Sequence, residues 1–226
     1  MIQTLLLAAP VLLAGMTAIY LVFFVLLLRL FRKETEHRIL LLMAGLAFGL
    51  LYDALILTLG AFLGDSRVLK TLSYPRYILH GALTPLLLSI CAEALDADRT
   101  IVRIVGTVTA FLMIAGAVAG CKIKLRSLAH AGITRYISDP DRSPAWADRL
   151  LHLLSIVPTL ALIAAGLVLW KKRGNKELAL GGLTMFVCSA IGPATGHLEE
   201  SFLFSMFGEL GMLINFWIHA KKTIEP

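Results

Sequence analysis

Arg76 and His80 stand four residues apart in SYPRYILHGALTPLLL, residues 73–88, where the chain runs into a long apolar stretch. Four residues is about one helical turn, so the two side chains project from one face. A guanidinium offers fixed donors to a carboxylate or an anion. An imidazole offers a base, an acid or a metal ligand near neutral pH. Asp53 in LAFGLLYDALIL and Glu209 in SMFGELGMLI are acids set among apolar residues in the same way. Asp53, Arg76, His80 and Glu209 form the candidate catalytic set, able to exchange protons and to orient a polar group. His80, His152 and His197 with Asp53 also bring nitrogen and oxygen ligands of the kind that hold zinc. A divalent metal such as zinc is therefore a candidate cofactor.

The elements that carry these residues are apolar and long. The chain has 226 residues, 58% hydrophobic and 16% charged, against about 25% charged in an ordinary soluble domain. Apolar runs of roughly 18 residues or more recur along nearly all of it, each enough for one helical crossing of a bilayer. The fold class expected is all-α: a polytopic membrane protein, a bundle of about seven transmembrane helices. The spans expected are 5–30, 39–63, 73–95, 101–120, 150–170, 178–196 and 201–220. The first has no basic leading segment and reads as a retained span, not a removed signal peptide. A β-barrel is excluded, since it would alternate apolar and polar residues in segments of about 10.

Lys and Arg set the orientation. Clusters at Arg29, Arg32, Lys33 and Arg38, at Arg99 and Arg103, at Lys171, Lys172, Arg173 and Lys176, and at Lys221 and Lys222 fall on one side. The short connection near 197–200 carries neither residue. The positive-inside rule then puts the N-terminus outside and the C-terminus inside, in the cell membrane. The net charge of +6 comes from these clusters at the ends of apolar runs, where headgroup contact accounts for it. Nucleic acid is excluded as a partner; membrane lipids are the expected one. The whole chain, 1–226, reads as a single domain with one sizeable outer loop at about 121–149. In that loop Ser143 is the expected N-cap and Pro144 the first residue of the next helix. Cys91, Cys121 and Cys188 form no metal or redox motif.

Depth brings the polar set together. Span two enters from inside near residue 39, so Asp53 lies roughly 21 Å along it at 1.5 Å per residue. Span seven enters from outside near 201, placing Glu209 about 12 Å in by the same rise. Both acids, with Arg76 and His80, share a band in the outer half; Tyr52, Thr84 and Ser205 are placed to join them. Above them, at the rim, come His152, His197, Glu199 and Glu200, the two acids reading as solvated. His37 and His130 read as solvated loop residues. Gly45, Gly49 and Asp53 are spaced by four, as are Gly192 and Gly196, so neighbouring helices can approach closely there. Pro85 removes a helical hydrogen bond to the Gly81 carbonyl, beside His80.

Four ionisable groups at one depth are a functional hypothesis by default, although Asp53 and Arg76 alone would also serve as an ion pair fixing helix register. Three functions stay open: a membrane-embedded, lipid-modifying hydrolase acting on a lipid or other apolar substrate; a small-molecule or proton-coupled transporter; a receptor or sensor. The seven-span plan resembles that of the alkaline ceramidases and adiponectin-type receptors, which implies a zinc hydrolase. Their last-span HxxxH motif is absent from EESFLFSMFGELGMLINFWIH, so the resemblance ends at the span plan. Walker, GxSxG and HExxH patterns are absent, and span seven has no interior Lys for a retinal Schiff base.

Overall fold

The computed structural model describes residues 8–196 and 199–224. Its helices are α1 (Ala9–Lys33), α2 (Arg38–Leu63), α3 (Arg67–Leu83), α4 (Leu86–Ala94), α5 (Arg99–Lys122), α6 (Ala145–Arg173), α7 (Glu177–Thr195) and α8 (Ser201–Ile224). Strands β1 (Leu125–His130) and β2 (Ile133–Ser138) lie between α5 and α6. Taking α3 and α4 as one span broken in the middle, seven spans among the described residues are long and apolar enough to cross a membrane. Outward side chains such as Ile104, Phe111 and Ile114 of α5 stay exposed. That pattern suits a helix whose outer face meets lipid.

Two span starts lie earlier than the hydropathy pattern predicts. Span three begins at Arg67 instead of 73, because the Ser66 hydroxyl caps it by accepting from the Leu69 amide at 3.2 Å. The charge at Lys70 does not end the helix; its ammonium sits 5.9 Å from the Tyr136 ring centre. Span five begins at Ala145, with Pro144 at the cap and no side-chain cap. Ser143 is not the N-cap. Its hydroxyl instead accepts from the Lys124 amide at 2.9 Å and ties the two ends of the hairpin segment together.

The larger apolar core joins α1, α2, α4, α6, α7 and α8 around Tyr20, Met43, Leu57, Ile90, Leu162 and Phe216. A smaller one, built on Ile56, Leu69, Ile123, Tyr136 and Leu151, lies under the hairpin. Helix α1 pairs with α2 and also touches α8, so the first and seventh spans are neighbours. Helices α3 and α5 approach through glycine: a Cβ on Gly116 would fall on the carbonyl oxygen of Gly81. That contact fixes α3 one residue past His80. Gly49 likewise makes room for the Leu83 side chain at the end of α3. Gly196 does not serve such an approach. It ends α7 in the left-handed conformation, φ 76°, with open space around it.

Candidate functional site

Asp53 sits mid-way along α2, and Arg76 one turn before His80 on α3. The Arg76 Nε donates to Asp53 Oδ1 at 2.6 Å, and Nη2 donates to Oδ2 at 3.3 Å. This forked geometry is the strongest form of a guanidinium–carboxylate pair. The side chains of Arg76 and Asp53 are 13% and 29% exposed. The pair is therefore not sealed in the core, and its exposed edge faces a cavity. Neither bond engages Arg76 Nη1.

That cavity has a volume of about 360 Å³, and Asp53, Arg76, His80 and Glu209 all line it. Three spans thus deliver the four residues to one place. Thr84 and Ser205 line it too, whereas Tyr52 does not; its hydroxyl donates to the Leu72 carbonyl at 2.9 Å. The break between α3 and α4 falls at Thr84–Pro85, where the Thr84 hydroxyl donates to the His80 carbonyl at 2.5 Å. That carbonyl also accepts from the Thr84 amide at 3.2 Å, so Thr84 closes the last turn of α3 on His80. Apolar residues, among them Leu46, Leu50, Leu83, Met185 and Phe202, make up most of the remaining wall.

Two partners in this site carry no signal in the sequence. Ser155 of α6 shares a hydrogen bond of 2.7 Å between its Oγ and His80 Nε2, and it lines the same cavity. Tyr20 of α1, fully buried, donates to the Met206 carbonyl at 2.6 Å and lies 3.2 Å from Glu209 Oε2. A phenol has one proton. Its shorter bond goes to the carbonyl, so Glu209 keeps most of its hydrogen-bonding capacity for the cavity.

The zinc ligands do not come together among the described residues, which contain no group of three His, Cys, Asp or Glu side chains able to hold a metal. His80 is engaged by Ser155 and Asp53 by Arg76. His152 is bonded through Nδ1 to the Asp148 carbonyl of its own helix at 2.7 Å. His197 lies outside the described residues.

The hairpin packs against two residues of the cavity wall, Phe202 and Tyr77. Arg135 of β2 is buried, donates through Nη2 to the Glu199 carbonyl at 2.6 Å, and lies 4.1 Å over the ring of Phe202, a cavity-lining residue. Burial pushes its guanidinium down to about 10. Tyr77, on the cavity, donates to the Tyr136 carbonyl at 3.4 Å. Tyr136 donates in turn to Asp65, and that bond raises its pKa above the ordinary phenol value. His130 is not a free loop residue. Its Nδ1 lies 2.9 Å from Glu199 Oε2, and its Nε2 lies 3.3 Å from Glu200 Oε1 without hydrogen-bond geometry. Glu200 is accordingly part of a packed rim, only 15% exposed, while Glu199 is 58% exposed.

Comparison with known proteins finds no family model that matches the chain and no curated protein that matches it. What fold and site define together is a class by architecture: among the described residues, seven spans suited to crossing a membrane, compatible with a multi-pass membrane protein, with a mostly apolar cavity bordered by four ionisable side chains.

Proposed function

We propose that the chain is a multi-pass enzyme of the cell membrane that acts on a lipid or another apolar substrate inside this cavity. The observation that carries the reading is convergence: Asp53, Arg76, His80 and Glu209, from three spans, border one mostly apolar cavity. Apolar walls suit a hydrocarbon chain, and the few polar groups suit its reacting end. Arg76, anchored by Asp53, orients a polar headgroup through its remaining N–H groups. His80 and Glu209 are the groups placed to give and take protons. In this reading the hairpin-bearing end is the outer end, with the Lys and Arg clusters at the other end in its support.

The test is product formation. The full chain in nanodiscs of a defined lipid extract is incubated, and new lipid species are read by mass spectrometry. Glu209→Gln and His80→Gln remove a titrating group at nearly constant shape. Both variants should insert and keep their helicity, yet lose turnover by about 10²-fold or more, the usual effect of losing a general acid or base. Full turnover in both would make the cavity groups scaffolding and end the reading.

One observation favours a second reading, proton-coupled transport. Span three is discontinuous at Thr84–Pro85, next to His80, and broken spans near a midplane site are characteristic of carriers. Proton-dependent flux into proteoliposomes, abolished by Glu209→Gln with no lipid product in wild type, would select it.

A further inference from the structure

We propose that Ser155 is a nucleophile and His80 its general base, which makes the substrate class a lipid carboxylic ester. This rests on the membrane-enzyme reading above and gives it a bond to break. A nucleophile and its base must lie within about 2.6–3.2 Å of each other. Ser155 Oγ and His80 Nε2 are 2.7 Å apart, across the gap between α6 and α3, and both face the cavity.

The local structure holds the two where such a pair needs them. His80 is followed at once by Gly81, whose close contact with Gly116 fixes that turn of α3 against α5. The Thr84 hydroxyl bonds the His80 carbonyl at 2.5 Å, and the Thr159 hydroxyl bonds the Ser155 carbonyl at 2.7 Å. Each member is thus braced on the backbone side by a threonine one turn along, leaving its side chain turned to its partner. The Ser155 hydroxyl also reaches the Leu151 carbonyl at 2.9 Å. Its single proton can turn between that carbonyl and the imidazole, so the resting hydroxyl loses no bonding when it swings toward His80. His80 is exposed and not sealed by protein, so an ester can reach the pair from the cavity side. Arg76 shares the cavity and has Nη1 outside its bonds to Asp53. It is the group available to stabilise a carbonyl oxygen as negative charge develops there.

The step balances with water as the only co-reactant. Neutral His80, with its proton on Nδ1, accepts the Ser155 proton at Nε2 as Oγ bonds the ester carbonyl carbon. The ester C–O bond breaks, and the departing alkoxide takes the proton from Nε2 and leaves as an alcohol. Water then attacks the acyl-serine carbonyl and passes a proton to Nε2. The acyl C–Oγ bond breaks, Oγ recovers that proton, and a carboxylic acid departs. Nothing is oxidised or reduced.

The experiment uses an alkyl fluorophosphonate probe, which phosphonylates activated serines, on the full chain in nanodiscs. The adduct should map to Ser155 in wild type by peptide mass spectrometry, disappear in Ser155→Ala, and form at least about 10²-fold more slowly in His80→Gln. Mapping on wild type needs no variant to fold, so a poorly folded Ser155→Ala leaves the test intact. No adduct on wild type, an adduct at another residue, or a wild-type rate in folded His80→Gln overturns the assignment. Lipid turnover that persists in folded Ser155→Ala overturns it as well, while leaving the membrane-enzyme reading standing. A His80-dependent adduct at Ser155 without any lipid-ester turnover supports the nucleophile and counts against the broader reading instead.

Discussion

Asp53 and Arg76 are the residues on which the site turns, because each makes the other tolerable in an apolar bundle. Their forked bond, 2.6 and 3.3 Å, predicts strong coupling. Asp53→Asn should leave the guanidinium uncompensated, and breaking such a pair costs about 3–5 kcal/mol. The double variant Asp53→Asn with Arg76→Gln should recover folded yield in detergent relative to either single change. Strictly additive losses would mean that the two do not act as a pair. These residues are legible in the sequence because a charge within an apolar run has no solvated alternative and must find a partner inside. Ser155 and Tyr20 are not legible for the converse reason. A serine can bond its own helix backbone anywhere along a span, as Ser155 also does with Leu151, and a tyrosine in an apolar run looks like any core aromatic.

At the level of elements, the hairpin is what hydropathy misses. Strands β1 and β2 pair antiparallel from Leu125 with Ser138 to His130 with Ile133. The turn is Ala131–Gly132, both at positive φ, 53° and 74°, as a two-residue hairpin loop with right-handed strand twist requires. An Ala at the first turn position hides the usual Asn–Gly or Asp–Gly signal, so the segment reads as a loop. The spans themselves are legible, since length and apolarity decide them, and Pro144 marks the start of α6 to within one residue, but the capped start at Ser66 is not legible. The hairpin is held to the connection between α2 and α3 through Tyr136 and Asp65, and that bond gives a pH prediction. A phenol whose pKa is raised in the fold contributes stability that is complete below its unfolded value, about 10, and fades as pH rises through the raised value. The thermal midpoint should therefore fall as pH rises above about 10, and Tyr136→Phe should flatten that part of the curve. An identical fall in the variant would show that another group is responsible.

For the whole molecule, orientation in the membrane is what a single cysteine reports. Cys121, near the hairpin end of α5, is exposed, whereas Cys91 is buried and Cys188 half-buried. With the hairpin end outside, a membrane-impermeant maleimide should label Cys121 in intact cells and spare the other two. Labelling of Cys121 only after lysis reverses the orientation and places the hairpin end on the inner side. The opposite end is pinned by its own contacts: Lys222 donates to Glu177 at 2.5 Å, Arg173 donates to Asp96 at 2.5 Å, and His219 meets Asn175 at 3.1 Å. The bond between Tyr20 and Met206 has a different kind of consequence, in time. Its partners are 186 residues apart, while Asp53 and Arg76 are separated by only 23. A ribosome feeding this chain into a membrane releases both members of the ion pair early, and they can neutralise each other long before the seventh span exists. Glu209 arrives with that span and finds the Tyr20 helix already in place. If the chain enters a bilayer as it is made, Arg76 follows Asp53 and is never there without it, and the cavity gains its second acid only at the close of biogenesis.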